Sequence, residues 1–393
     1  MNTLENNSKN NKTWRKMKLG EIVNIKMGQS PSSQFYNSRG EGLPFYQGIT
    51  DFGSKYPNKS VYCTNTIKIA EKGEILFSVR APVGEVNVAI EKSCIGRGIA
   101  ALSMKNKNNE FLYYLLKYHT QYFKSISGGT TYESIGKDQI AEIELLIPED
   151  INEQKRIADI LSAFDDKIEV NNKIIKTLEE MAQEVFKEKF NNSEKLIVNS
   201  EKLKSEKWKI KDAEEVFVFE KGIEPGSRYY SETKKEGYVP FYRVRDLDKQ
   251  GGVDVYIPEK IANGKICKAN DVLLSLDATV GRIKIGCNGA FSSGIRKVYS
   301  KDGLIKNSFI YFWLKTPYVQ DAILEHASGT TILHAGQAIK YLKIPFNKEI
   351  IKEIQSRVDP MFEKILQILK ENQILTTLRD LLLSKLMSGE IRV

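Results

Sequence analysis

Hydrophobic positions along this chain fall into two alternating textures. In the first, short β-branched and aromatic runs such as Ser60 to Tyr62, Ile75 to Val79 and Val86 to Ile90 are broken by clusters of Gly, Pro, Asn and Ser, the pattern of strands joined by turns. This texture fills residues 14–150 and returns over 208–347, so both stretches are expected to be mainly β. Each also holds one denser apolar segment that predicts a helix: Glu110 to Ser125 in the first, and a counterpart from near Asn307 running through Ser308-Phe-Ile-Tyr-Phe-Trp-Leu-Lys315 in the second. An aromatic stripe at helical spacing could serve as a platform for stacked bases, but it is far more often core, and core is the expectation here.

The second texture is long and helical. Residues 151–190 contain no Pro or Gly, and Asp150 with Glu153 predicts an N-cap closed by a capping box. Ile157, Leu161, Phe164, Ile168, Asn171, Ile175 and Leu178 recur at alternating steps of four and three and continue to Ala182 and Val185, which is a coiled-coil seam with one polar member. Residues 348–393 follow the same rule through Ile354, Val358, Met361, Ile365, Ile368, Asn372, Leu375, Arg379, Leu382 and Leu386. Pro360, preceded by Asp359, predicts a break in that helix with a fresh start, because Pro is tolerated in a first turn and disruptive further in. A seam Asn in both helices predicts a register-setting contact, against the plainer alternative of a solvated position. Residues 1–13, rich in Asn and Lys and lacking an apolar core, read as a disordered lead-in, and 191–207 as a linker.

The chain also repeats itself. Trp14-Arg-Lys-Met-Lys-Leu-Gly-Glu-Ile returns as Trp208-Lys-Ile-Lys-Asp-Ala-Glu-Glu-Val, 194 positions on, and Leu43-Pro-Phe-Tyr46 as Val239-Pro-Phe-Tyr242, 196 on. Glu74-Ile-Leu-Phe-Ser-Val-Arg-Ala-Pro-Val-Gly84 returns as Asp271-Val-Leu-Leu-Ser-Leu-Asp-Ala-Thr-Val-Gly281, 197 on, and Gly129-Thr130-Thr131 as Gly329-Thr330-Thr331, 200 on. Matches in one order with a slowly drifting offset mean a tandem duplication. The fold expected is α+β: two mainly β domains, 14–150 and 208–347, each followed by a long helix.

Composition narrows the chemistry. Among 393 residues, 59 Lys and Arg against 50 Asp and Glu leave a net charge of +9, which admits a polyanionic partner without requiring one. Only three histidines occur, His119, His326 and His334, which disfavours metal clusters and imidazole-based hydrolysis. Cys63, Cys94, Cys267 and Cys287 are too scattered for a disulfide framework or a CxxC knuckle and read as reduced, partly buried thiols of a cytoplasmic protein without a membrane span. No phosphate loop is present, since Gly136-Lys137 is followed by Asp138. Gly96-Arg97-Gly98-Ile99-Ala100-Ala101 formally matches a dinucleotide fingerprint, but β-like text follows where a helix is required, so a tight turn is expected. Neither the Pro-Pro-aromatic run of base-modifying amino-methyltransferases nor a PD…(D/E)xK nuclease run is found. A duplicated chain without a duplicated acid, base, nucleophile or metal cluster is not expected to be a catalyst.

The basic residues suggest a different role. Arginine is the side chain best shaped to read guanine edges, and lysine mainly neutralises phosphate. Arg39, Arg80 and Arg97 in the first β domain, and Arg228, Arg282 and Arg296 in the second, are candidates for contact with DNA, as are the duplicated Thr130, Thr131, Thr330 and Thr331. Tyr242-Arg-Val-Arg-Asp246 alternates like a strand showing Arg243 and Arg245 on one face, where the first copy has Gln47 and Gly48. Two homologous readers with different side chains would recognise different sequences. For any single arginine, a solvated surface salt bridge is the commoner role.

These residues carry a family resemblance. Asn152-Glu-Gln-Lys-Arg-Ile-Ala-Asp-Ile-Leu161, Ser127-Gly-Gly-Thr-Thr131, the Gly28-Gln-Ser-Pro31 turn and the second-copy forms Gly222-Ile-Glu-Pro225 and Ser328-Gly-Thr-Thr331 resemble the specificity (S) subunit of type I restriction-modification systems. The second copy departs at Asn347-Lys-Glu-Ile-Ile-Lys, where the first has its Glu-Gln-Lys-Arg run. The resemblance implies that each β part is a target recognition domain reading one half of a split, asymmetric site on double-stranded DNA. It implies that the helices form an antiparallel spacer with pseudo-twofold symmetry, docking two methyltransferase (M) subunits and, through them, the restriction and translocation (R) subunits. S-adenosylmethionine, ATP and Mg would then belong to the partners, with no cofactor or metal in this chain. A helix over 151–190 would span roughly 60 Å, enough to seat two readers at least one turn of about 34–36 Å apart. The alternatives are a coiled-coil scaffold for proteins, or a fused methyltransferase or nuclease with unrecognised motifs.

Overall fold

The computed structural model describes residues 14–127, 134–190, 209–248, 253–329 and 333–393; the expected lead-in and linker lie outside them. The chain divides into two compact units, Met1–Lys167 with Thr377–Val393, and Ile168–Thr376.

In the first unit the strand Trp14–Lys18 pairs antiparallel with Glu144–Pro148, whose side chains alternate so that Leu145 and Ile147 are buried while Glu144 and Leu146 face out. An antiparallel sheet follows in the order Val23–Met27, Ile99–Met104, Ile75–Ser78, Val86–Val88. A second sheet of five short strands contains one parallel pair, Leu43–Tyr46 beside Ser93–Ile95. The helix Asn109–Tyr118 starts at Asn108, whose side chain accepts the Phe111 amide, and buries every residue from Phe111 to Leu116. Its aromatic stripe is therefore core. The expected helix over 110–125 is in fact two, because the chain breaks at His119 and resumes as Thr120–Ser127.

The second unit repeats this plan. Lys209–Asp212 pairs with Lys343–Phe346, a four-stranded sheet runs Phe217–Lys221, Ile295–Ser300, Val272–Ser275, Ile283–Lys284, and Tyr238–Tyr242 lies parallel to Gly289–Phe291. The helix Asn307–Leu314 is buried from Ser308 onward, and a new helix opens with Pro317 in its first turn, where the missing N–H costs nothing. The fold is α+β, two tandem mainly β domains each followed by a long helix.

The long helices, Ile151–Phe190 and Lys348–Met387, have 40 residues each, about 60 Å of helix. Pro360 does not break the second: the helix is continuous through it. Pro360 is exposed, so the carbonyl one turn back that loses its amide partner can turn to water. The expected capping box is also absent. Asp150 accepts the Asn152 amide at 2.9 Å, but Glu153 is fully buried and accepts from the Trp14 indole N–H at 3.3 Å. No helix among the described residues is long and apolar enough to cross a membrane.

Each unit holds an antiparallel stretch of helix pairing. In the second unit Lys189 meets Glu353 at 2.6 Å, Arg357 meets Glu188 at 2.8 Å and Asn171 meets Asn372 at 2.8 Å. In the first, Arg379 meets Asp165 at 2.6 Å, and Arg392 lies 3.7 Å from Glu153. Leu383, Leu386 and Met387 join the same core as Leu19, Phe111 and Leu161.

Buried polar contacts fasten each β domain to its helices. In the first unit the Tyr114 hydroxyl donates to Asp165 at 2.6 Å, and Lys55 bridges Glu110 at 2.7 Å and Asp165 at 3.9 Å. Burial opposes ionisation of Asp165, but the nearby Arg379 and Lys117 charges and the hydrogen bonds from Tyr114 and Arg379 together outweigh it and hold the carboxyl below its usual range. In the second unit Tyr311, 197 positions after Tyr114, donates to Glu179, which also pairs with Lys315 at 2.7 Å. The anchor tyrosine is duplicated, yet it takes its carboxylate from the first long helix in both units.

Candidate nucleic-acid face and helix seam

In the first unit, backbone hydrogen bonds draw several loops to one edge of the sheets. The Gly28 amide donates to Ile99 O (2.9 Å), Gln29 to Ile95 O (3.0 Å), Gly96 to Tyr46 O (2.8 Å) and Val79 to Gly98 O (2.9 Å). The Ser30 hydroxyl accepts the Arg97 amide at 3.1 Å. Such close approach needs glycine: a Cβ at Gly28 would sit 2.2 Å from the Gly96 carbonyl oxygen, and one at Gly98 2.2 Å from that of Gln47. The Gly96-Arg97-Gly98 run is thus a turn packed between loops. Arg97 and Arg80 are exposed on this edge, Arg80 bridged to Ser134. Arg39 is not among them; it stands on the turn before Leu43–Tyr46, its guanidinium spanning both carboxylate oxygens of Glu41 at 3.0 and 3.2 Å.

The second unit builds the same edge with other side chains. Ile223 donates to Phe291 O (3.0 Å), Ser293 to Ile223 O (2.8 Å), Ser292 to Tyr242 O (2.8 Å) and Leu276 to Gly294 O (2.9 Å), while a Cβ at Gly222 would lie 2.2 Å from Phe291 O. The expected strand through Arg243 and Arg245 ends at Tyr242, and Val244–Asp246 is a 3-10 turn. Asp246 is the reason: its buried carboxylate accepts the Arg243 amide at 3.0 Å and the guanidinium at 2.8 and 3.2 Å, curling the chain back. The two arginines therefore do not share a face. The Arg243 side chain is 16% exposed and structural, whereas that of Arg245 is 67% exposed. Arg296 is half-buried and donates to Ser293 O at 2.6 Å; burial lowers its pKa. Arg282 is paired with Asp248, and Arg228 lies over the Tyr229 ring at 4.8 Å. Thr130, Thr131, Thr330 and Thr331 lie outside the described residues. Sequence reasoning missed Asp277 and His334, which pair at this edge at 2.8 Å; the Arg80-to-Asp277 exchange within the repeat was the available signal.

Of the seam positions, Ile157, Leu161, Ile365 and Ile368 are buried; Phe164, Ile168, Ile175, Leu178, Leu375 and Leu382 are half-buried. Asn171 is 1% exposed and its amide donates to Asn372 Oδ1 at 2.8 Å and to Glu371 at 3.0 Å, while Asn372 donates to Asn172 at 3.0 Å. The two seam asparagines are each other's partners, which makes this register the one that satisfies both. Away from the seam, Val170, Ile174 and Met181 on the first helix, and Ile374, Leu378 and Leu381 on the second, are exposed apolar residues at helical spacing.

Residues 11–180 and 205–376 each match the model of the type I restriction modification DNA specificity domain. The chain belongs to the type I restriction-modification specificity family. A putative type I restriction enzyme MjaX specificity subunit of Methanocaldococcus jannaschii is 41% identical over 177 residues, covering 44% of this chain and 41% of that protein. The MjaIX specificity subunit of the same organism is 29% identical, covering 97% and 94%. A crystal structure of the S subunit from Mycoplasma genitalium superposes with a TM-score of 0.55 at 20% identity, covering 97% of each chain, and shares the fold. The chain is thus a type I specificity subunit built from two specificity domains.

Proposed function

We propose that this specificity subunit reads a bipartite, asymmetric site on double-stranded DNA, one half with each β domain, and performs no catalysis itself. The observation that carries the reading is the pair of homologous loop clusters, built on the same backbone hydrogen bonds but lined by Gln29, Gln47, Arg80 and Arg97 in one unit and Glu224, Arg245, Asp277 and His334 in the other. Equal frameworks with unequal side chains suit two different half-sites. Net charge +9 supplies sequence-tolerant attraction to phosphates. The exposed apolar stripes on the long helices suit docking of two M subunits, with R subunits joining through them. S-adenosylmethionine, ATP and Mg belong to those partners in this proposal, as does flipping of the target adenine, and the assembly works in the cytoplasm.

Exchanging residues 14–150 for the same region of a relative, coexpressing the chimera with its M subunit and mapping methylated adenines is the test. One half of the methylated sequence should change and the other persist; change in both halves or in neither removes the modular reading. Methyl transfer or DNA cleavage by the purified chain alone would instead show it to be an enzyme.

A further inference from the structure

At one place the two units carry opposite chemistry on the same backbone framework. In the first, the Ile135 amide donates to Val79 O at 2.9 Å, and the adjoining residues Arg80 and Ser134 form an antiparallel bridge. In the second, the Ala335 amide donates to Leu276 O at 2.7 Å, and Asp277 pairs antiparallel with His334. The repeat aligns Ser78-Val-Arg-Ala81 with Ser275-Leu-Asp-Ala278. Arg80 and Asp277 thus occupy one position of the fold, Ser134 and His334 the position opposite. Each bridge adjoins the glycine turn of its loop cluster, through the Val79 bond to Gly98 and the Leu276 bond to Gly294.

The side chains are presented differently. Arg80 is exposed, and among the described residues no carboxylate pairs with it. The His334 side chain is 62% exposed, and its Nδ1 lies 2.8 Å from Asp277 Oδ1. Its backbone is fixed by reciprocal bonds with Ser328 at 2.7 and 3.0 Å. With Nδ1 engaged, Nε2 is the ring nitrogen left to face a ligand.

We propose that this bridge is a specificity-determining position in both domains, Arg80 reading guanine in one half-site and His334, oriented by Asp277, reading a different base edge through Nε2 in the other. The inference rests on the DNA reading above. A guanidinium offers two parallel donors matched to guanine N7 and O6. An oriented imidazole offers one nitrogen, and the carboxylate behind it repels phosphate and, in the major groove, accepts only from the amino groups of cytosine or adenine. The two arrangements do not select the same base.

Selection of random duplex DNA by the purified full-length chain, followed by sequencing, tests this. Wild type should enrich a bipartite sequence. Arg80→Ala should lower the preference at one G·C pair of the first half by about 5- to 100-fold and leave the second half intact. His334→Ala should flatten one base pair of the second half only, and Asp277→Arg with His334→Ser should replace that preference by guanine. Should the double variant fail to fold, the single alanine variants at the two exposed positions decide alone. Enriched sequences identical to wild type, or uniform weakening at every position as for a phosphate contact, overturn the proposal while leaving the DNA reading intact. If wild type enriches nothing, the DNA reading itself fails and takes this inference with it.

Discussion

Replacing Arg379 by Met strips the Asp165 carboxylate of its closest cation while keeping a side chain of similar reach. The two side chains are 12% and 7% exposed and 2.6 Å apart, so solvent cannot take over the lost contact. Removing one partner of a buried ion pair costs about 3–5 kcal/mol. Asp165 would keep the Tyr114 hydroxyl at 2.6 Å and Lys55 at 3.9 Å, which places the expectation near the lower end, about 3 kcal/mol. The effect belongs to the first unit, so the assay must resolve the units. Hydrogen exchange under native conditions should show amides of Asn109–Tyr118 exchanging roughly a hundredfold faster, at 1.4 kcal/mol per factor of ten, with Asn307–Leu314 unchanged. Adding Asp165→Leu should recover part of the loss, since it removes the unpaired carboxylate, but not all of it, because the buried Tyr114 hydroxyl then loses its acceptor. A single variant costing under about 1 kcal/mol, or a double variant no better than the single, refutes the reasoning.

Because the folded pKa of Asp165 is lowered, its stabilisation is complete above the unfolded value of about 3.9 and is lost as pH falls through the folded value, so Asp165→Asn should blunt acid sensitivity of the first unit in pH-dependent melts. Asn171→Leu with Asn372→Leu should raise the midpoint of thermal unfolding of the second unit, whereas Asn171→Leu alone should lower it by leaving the Asn372 side-chain oxygen without its donor, a cost of about 1–3 kcal/mol; equal effects would deny their pairing. Gly28→Ala should destabilise the first loop cluster by about 1–3 kcal/mol, visible as faster exchange near residues 95–99, because the added Cβ meets a fixed carbonyl. All four cysteines are buried, and burial pushes Cys94 and Cys287 up to about 11 and Cys267 to about 12, so iodoacetamide at pH 8 should modify none in the native chain and four in denaturant.

The parts of this molecule that were legible in its sequence are those governed by period and repetition. A seam running from Ile157 to Val185 at steps of three and four has one physical solution, and two copies of Leu/Val-Pro-Phe-Tyr announce one fold twice. Where the outcome depended on a single long-range partner, pattern failed. Asp246 turned an apparent strand into a 3-10 turn by binding its own neighbour Arg243, and solvent on one side of Pro360 removed the reason for a break. Arg379 stood out as a rough spot in the seam, but its partner Asp165 lies 214 residues away and off the heptad, where no spacing rule looks. The Asp277–His334 pair at the loop edge was hidden for the same reason, although the exchange of Arg for Asp within the repeat marked half of it.

The first unit is assembled from both ends of the described chain, since Thr377–Val393 completes its core and supplies Arg379, whereas the second unit is one uninterrupted stretch. During synthesis, domains generally fold in the order in which they emerge. Here that order is inverted: the domain made first stays incomplete until Thr377–Val393 has been made, while the domain made second can finish before it. A chain cut short near residue 376 would therefore lose its earliest-made domain and keep its latest.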